Sequence, residues 1–341
     1  MRQAVHILLG ASFAALVVAG CGRSAGRAAA SAAVPATTAA TVEQRTEGPR
    51  DALVPVASFD GLGVGFAGQS PSLRNPSDNA LAVGPDHIVQ IVNSQMAVFT
   101  KRGTKYDSTG RLLRGAVATN TLFAGFGGQC EARNNGDAVA RYDQLARRWL
   151  IVMPIFRRPA NDTTGPFSMC YAVSASEDPL GAYHRYEFTR PLFPDYPRPA
   201  IWPDGYYLPT STGDDVIEKH ACVADRARML RGEPATEQCV IIKDVNFLNN
   251  ADLDGYELPP AGAPNPMLAT GGTQLRGVLH DDGIYSWQFH VDWQDTTRTR
   301  VTGPVKIAVA PYAYLCGGQL TNCVPPPDTT RRLDAQGDKL M

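Results

Sequence analysis

Three aspartates could bring carboxylate chemistry to one place. Asp78, Asp137 and Asp195 each stand near the start of a short apolar run that is predicted to form a β-strand. If those strands lie side by side, the carboxylates converge. Two carboxylates about 5–9 Å apart are the minimum for glycosidic hydrolysis, whereas Asp78 and Asp137 could instead supply oxygen ligands to calcium. Aspartate also favours turns, so a purely structural role is the third interpretation.

The other reactive residue types form no recognisable catalytic group. Ser174 and Ser176 lack the Gly-x-Ser-x-Gly frame of a hydrolase nucleophile. Five histidines are scattered without the spacing of metal ligands, namely His87, His184, His220, His280 and His290. We therefore expect no cofactor, with calcium as the one ion that the aspartates could bind, and the sequence leans away from an enzyme.

The elements that must position the aspartates recur along the chain. Short β-branched runs surround turns that contain Asp86, Asp143, Asp204 and Asp282, at intervals of 57, 61 and 78 residues. This period predicts an all-β, β-propeller-like fold with about four to five blades, in a ring that this chain alone need not complete. The abundant glycine and proline (32 and 26 residues) fit many tight turns and fit a helical protein poorly.

Little helix is expected. The one short helix predicted lies near residues 225–232, with Asp225 as its N-terminal cap and Gly232 at its end. The glycine-rich stretch at 119–135 is predicted to be a loop, and it lacks the Gly-Lys-Ser/Thr ending of a phosphate-binding loop. Large aromatic residues recur at similar blade positions, and we expect them in the core rather than on a sugar-stacking platform; they are Trp149, Trp202, Tyr206, Tyr207, Trp287 and Trp293.

The N-terminus is predicted to be a targeting signal. Residues 1–20 have an early arginine and a short apolar run, as in a secretory signal peptide. Val18-Ala19-Gly20-Cys21 resembles the bacterial lipobox, which implies a lipid on Cys21, although an ordinary secreted protein is the alternative. Residues 21–52 are rich in Ala, Ser, Thr and Pro and are predicted to be a flexible tether. The folded domain would span 53–341, held at the periplasmic or outer surface of a bacterial envelope through the lipid alone.

The remaining six cysteines suit disulfides in an oxidising compartment. Local spacing favours the pairs Cys130–Cys170, Cys222–Cys239 and Cys316–Cys323. A zinc site is the weaker alternative because there is no Cys-x-x-Cys. The net charge of -1 offers no basic face for nucleic acid.

Several segments resemble a mostly uncharacterised family of secreted bacterial propeller-like proteins with sialidase- or kelch-like blades. They include PSDNALAVGPDHIVQIVNSQMAVF, CYAVSASEDPLGAYHRYEF, IWPDGYYLPTS and the tail LDAQGDKLM. The resemblance covers roughly residues 70–341 and implies the fold, but no settled activity. In similar proteins further strands follow the tail segment.

Three functional hypotheses follow. The first is a lipid-anchored module that binds an extracellular glycan or peptide. The second is a propeller-type glycoside hydrolase or lyase that uses Asp78, Asp137 and Asp195. The third is a truncated fragment of a longer protein without a function of its own.

Overall fold

A computed structural model describes most of the chain after residue 53. The described ranges are 54–68, 77–156, 167–190, 193–210, 218–243, 248–270, 283–310 and 324–333. All of them belong to the unit Asp51–Met341, one of two into which the chain divides.

Four four-stranded antiparallel sheets form the body of this unit, and each is made of four consecutive strands. The first two sheets contain β1 (Asn79–Val83), β2 (His87–Val92), β3 (Gln95–Thr100), β4 (Leu112–Ala118), β5 (Val139–Asp143), β6 (Arg148–Ile155), β7 (Phe167–Ser174) and β8 (Tyr183–Arg190). The last two contain β9 (Ala200–Trp202), β10 (Gly205–Thr210), β11 (Glu218–Ala224), β12 (Glu237–Lys243), β13 (Asn249–Asn250), β14 (Asn265–Thr270), β15 (Ile284–His290) and β16 (Arg300–Ile307). The predicted all-β class is confirmed.

Consecutive sheets share hydrophobic cores, and alternate residues of one strand serve different cores. In β6, Trp149 and Ile151 pack toward the first sheet, whereas Leu150 and Val152 pack toward the third. This follows from the two-residue period of a strand, which sends neighbouring side chains to opposite faces. A further core joins the third and fourth sheets. Five of the six predicted core aromatics are buried and Trp293 is partly buried.

The residues before β1 cover part of the other face of the first sheet. Phe59, Leu62 and Phe66 pack against a small core that contains Ile88 and Phe99. The ring centroids of Phe59 and Phe66 lie 5.1 and 6.1 Å from that of Phe99. This segment therefore removes from water a face that the second sheet does not reach.

Two α-helices are present where one was expected. Helix α2 (Arg226–Arg231) matches the prediction, since Asp225 accepts a hydrogen bond from the Arg228 amide and Gly232 closes the helix with φ of 69°. Helix α1 (Gly128–Ala132) lies inside the stretch predicted to be a loop, so that prediction is wrong there. Two short 3-10 helices lie at Thr119–Phe123 and Thr296–Arg298. No helix in the described ranges has the length and apolarity needed to cross a bilayer.

The fourth predicted repeat is out of phase with the first three, because its turn lies between a different pair of strands. Asp86, Asp143 and Asp204 lie where the first strand of a sheet turns into the second. In the fourth sheet, residues 251–264 occupy this place, and they are too many for a tight turn. Residues 271–282 instead separate the second and third strands, β14 and β15, and Asp282 itself lies outside the described ranges.

Two of the predicted disulfides are present. Cys130–Cys170 joins α1 to β7, with Cα atoms 5.8 Å apart. Cys222–Cys239 joins directly opposed residues of β11 and β12, with Cα atoms 4.1 Å apart. Cys21, Cys316 and Cys323 lie outside the described residues.

Candidate functional site

A cavity of about 670 Å³ is lined by residues of the first three sheets and by the segment that follows β13 of the fourth. The first strands of three sheets border it, through Leu81 and Val83 of β1, Arg141 and Tyr142 of β5, and Ile201 of β9. The fourth sheet contributes the residues that follow β13, namely Asp252, Leu253, Asp254 and Tyr256. We call this space the central cavity.

Hydrogen bonds hold the residues after β13 in the wall of the central cavity. The Gln144 side-chain amide donates to the carbonyl oxygens of Leu253 and Gly255. The Ile201 amide donates to Asp252 Oδ1 at 2.6 Å. Arg141 Nε donates to the Pro199 carbonyl and lies 3.8 Å from Asp252 Oδ2. The second, third and fourth sheets are thus joined directly at the cavity.

The wall offers several kinds of contact. Burial raises the pKa of Asp252, although the Ile201 amide and the Arg141 charge oppose that shift. Lys101 adds a positive charge, and Asp254 adds a carboxylate. Tyr256 is 78% exposed, so its ring is available to an incoming molecule. The cavity can therefore present charges of both signs, an aromatic face and the apolar side chains of Leu81 and Val83.

Two of the three aspartates singled out from the sequence, Asp78 and Asp137, come together at the other end of strands β1 and β5. Asp78 immediately precedes β1, and Asp137 lies two residues before β5. A hydrogen bond joins their carboxyl groups. Burial, this contact and the charges of Asp78 and Asp195 raise the pKa of Asp137 to about 7. The Asn93 amide also donates to Asp78 Oδ2 at 2.8 Å.

The backbone at these two aspartates is left-handed. Asp78 has φ of 41° and Asp137 has φ of 55°. Aspartate and asparagine adopt this region more readily than most residues. Because β1 has five residues, its two ends are about 15 Å apart. We therefore treat the Asp78–Asp137 pair and the central cavity as two regions at opposite ends of β1 and β5.

The described residues show no close three-carboxylate metal centre. Among them, one group of three His, Cys, Asp or Glu side chains brings its ligand atoms within 4.8 Å, and it consists of Cys222, Glu237 and Cys239. Both of its sulfurs are in a disulfide, so they are not thiolate ligands. Asp195 acts on Asp137 through its charge but does not join such a group. A calcium ion at Asp78 and Asp137 would need oxygen ligands beyond these two carboxylates.

Other residues considered from the sequence have structural contacts. Asp143 is buried and accepts hydrogen bonds from Arg226 and Tyr206. Ser174 Oγ accepts from the Trp149 amide and donates to the Ser176 carbonyl. His87 is buried beside the Tyr106 hydroxyl, and burial lowers its pKa.

Sequence reasoning missed the residues that build the central cavity. Gln144 and Arg141 stand in an ordinary strand and turn, and Asp252 stands in a stretch rich in Asn, Pro and Gly. Gln144 reaches a residue 109 positions away, so no local spacing could have indicated the contact. The one available signal was that Gln144 directly follows a predicted turn aspartate.

Comparison with known proteins gives no further guide to this site. No protein-family model matches the chain, and neither the curated proteins nor the solved structures yield a significant match.

Proposed function

We propose that this protein is a β-propeller-like module that binds an extracellular ligand, a glycan or a peptide, in the central cavity. The observation that carries the proposal is a cavity lined by the first strands of three sheets and by the segment after β13 of the fourth. The propeller-like arrangement is supported by four consecutive four-stranded antiparallel meanders, each of which contributes its first strand, or the segment after it, to the lining of one cavity. Ligands in proteins favour such concave sites with a few polar groups.

The wall chemistry suits a ligand with both polar groups and flat faces. Asp254 and Lys101 can exchange hydrogen bonds with hydroxyl or amide groups, and the exposed Tyr256 ring can stack on a sugar or side chain. Leu81 and Val83 are 57% and 46% exposed. A ligand that covers their apolar side chains would bind more tightly because apolar surface is removed from water.

The test is binding of the protein to a panel of glycans and peptides, followed by titration of each hit. Tyr256→Ala should weaken binding about tenfold, since it removes an exposed stacking surface. Leu258→Ala is the matched control, because Leu258 is 56% exposed two residues away and does not line the central cavity. Equal effects of the two variants would count against the site, and a ligand that is released chemically altered would count against a pure binding role.

The raised pKa of Asp137 favours a second candidate, a glycoside hydrolase or lyase. A carboxyl group with a pKa near 7 can act as a general acid at neutral pH. Asp78 and Asp137 are in hydrogen-bond contact, closer than the separation of roughly 5–9.5 Å that the two hydrolytic mechanisms use. The remaining carboxylate of this candidate is Asp195, whose charge also raises the pKa of Asp137.

Release of new reducing ends from a panel of polysaccharides, with and without calcium, tests the second candidate. Asp137→Asn should abolish any release, because an amide cannot donate the proton of a carboxylic acid. Full turnover in that variant would remove Asp137 from the catalytic role. Release that depends on calcium would direct attention to a metal held by Asp78 and Asp137.

We also propose that the protein is anchored through a lipid on Cys21 and faces the periplasm or the cell exterior. The support is the lipobox-like sequence and the two disulfides, which suit an oxidising compartment. Metabolic labelling with a fatty acid should mark the protein, and Cys21→Ala should remove the label. Unchanged labelling of that variant would refute the anchor.

A further inference from the structure

A second, smaller cavity lies between the outer strands of the first two sheets. It has a volume of about 260 Å³ and is lined by Arg114 of β4, Tyr183 and Arg185 of β8, Thr121, Leu122 and the Gly181–Ala182 turn. We call it the rim groove. It shares no lining residue with the central cavity.

Two arginines, Arg114 and Arg185, line this groove without carboxylate partners. Within the described ranges, the Arg114 side chain makes no hydrogen bond or ion pair, and the Arg185 side chain makes one hydrogen bond but no ion pair. The Arg185 charge lowers the pKa of Glu131 without an ion pair, and the Glu131 oxygens accept the Gly125 and Gly127 amides at 2.8 and 2.6 Å. Among the described residues, neither guanidinium group is therefore in direct contact with a carboxylate.

Arg185 is held in place before any ligand arrives. Its Nη1 donates to the Ala124 carbonyl at 2.6 Å, and its guanidinium lies 5.6 Å from the Phe126 ring centroid. One donor is used in this contact, and an arginine has five. A planar group fixed in this way can bind an oxyanion with less loss of side-chain entropy than a mobile lysine.

We propose that the rim groove binds an oxyanion, the carboxylate, sulfate or phosphate group of a small ligand. Arg114 and Arg185 pair with its oxygens, because guanidinium groups bind such oxyanions through charge-assisted, often bidentate hydrogen bonds. The ring of Tyr183 and the side chain of Leu122 contact the body that carries the charged group. This site is independent of the central cavity, so its failure would leave the proposed binding function untouched.

Calorimetric titration of the full chain at low ionic strength tests the proposal. The probes are glucuronate, inorganic sulfate and inorganic phosphate, with glucose as the uncharged comparison. At least one anion should bind saturably at one site per chain, and glucose should not. Glucuronate alone would identify a carboxylate ligand, whereas sulfate or phosphate would identify a tetrahedral one.

Three substitutions distinguish binding at the groove from non-specific attraction of anions to the positive charges of the protein. Arg114→Gln and Arg185→Gln should each weaken binding by roughly tenfold or more, the loss expected for a charged hydrogen bond. Arg111→Gln changes the net charge equally, but Arg111 lies over the Tyr106 ring and does not line the groove, so it should have little effect. No saturable binding of any anion, or an equal loss in Arg111→Gln, would overturn the proposal.

Discussion

Asp143 joins two sheets through a fully buried carboxylate. It accepts hydrogen bonds from Arg226 Nε at 2.7 Å, Arg226 Nη2 at 3.0 Å and the Tyr206 hydroxyl at 2.8 Å. The Ala146 amide adds a fourth at 3.0 Å, within its own turn. Because Asp143 ends β5 while Tyr206 and Arg226 lie in β10 and α2, this one side chain connects the second sheet to the third.

We expect Asp143→Ala to lower the free energy of unfolding by about 3–5 kcal/mol, because it leaves the Arg226 charge buried without its partner. Lys105→Ala removes an exposed pair with Asp178 and should cost no more than about 1 kcal/mol. Urea unfolding measures both. Similar values for the two variants would show that burial does not decide the strength of these pairs.

The proton of Asp137 should make stability depend on pH. The pKa of Asp137 is about 7 in the folded protein, above its usual value of 3.8, so the folded state binds the proton more tightly. The protonated Asp137 therefore contributes to the free energy of unfolding. This stabilisation is complete below about pH 4 and is lost as the pH rises toward 7. Asp137→Asn keeps an uncharged side chain at every pH. Its melting temperature should therefore exceed that of the unmodified protein at pH 8, with the advantage disappearing at pH 4.

Asp328→Asn is the control for this experiment. Asp328 has a similar left-handed backbone, with φ of 58°, and is exposed. Its substitution should shift the melting temperature little at either pH. An effect of Asp137→Asn that does not vary with pH would indicate a change in packing rather than the loss of a titrating group.

At the residue scale, the Asp78–Asp137 pair could be predicted from the sequence, whereas the polar wall of the central cavity could not. Asp78 and Asp137 could be singled out because each stands at the head of a recognisable strand. The polar wall of the central cavity could not, since Asp252 gains its role from the Ile201 amide, 51 residues earlier. Sequence patterns report local order, whereas this contact exists only after the sheets have packed.

The two disulfides differ in their access to solvent. Cys130 and Cys170 are both fully buried, whereas Cys239 is exposed on the outer strand β12. A thiol must reach one of the two sulfurs to open a disulfide. We expect a mild reductant to open Cys222–Cys239 before Cys130–Cys170, as measured by alkylation and mass spectrometry at successive times. Opening of Cys130–Cys170 first would imply that the region around α1 unfolds locally.

At the element scale, most strands and helix α2 could be predicted because their signals are local. Alternating apolar residues indicate strands, and Asp225 and Gly232 mark the ends of α2. Helix α1 has five residues, and glycines at positions 127 and 128 precede its cysteine. The disulfide to β7 and the bond from Asn120 to the Glu131 carbonyl are the contacts that hold it. Tertiary contacts of this kind leave no pattern in a short stretch of sequence.

Across the whole molecule, the shared cores predict cooperative unfolding. Each consecutive pair of sheets buries side chains of both partners, so one sheet cannot separate without exposing part of its neighbour. We expect residues 53–341 to melt in a single transition, with the signals of Trp149 in the second sheet and Trp287 in the fourth changing together. The measurement is calorimetry combined with fluorescence of single-tryptophan variants. Separate transitions would mean that the sheets fold as independent pairs.

The contact made by Gln144 limits how such an array can change during evolution. One amide side chain links the turn after β5 of the second sheet to the segment after β13 of the fourth, so the contact requires that these two sheets be separated by the third alone. A duplicated four-stranded unit inserted between them would break this contact and the central cavity with it. Gain or loss of a unit is compatible with the contact only outside these three sheets. The stretch from the second sheet to the fourth should therefore keep its number of repeats, whereas units outside it are free to vary.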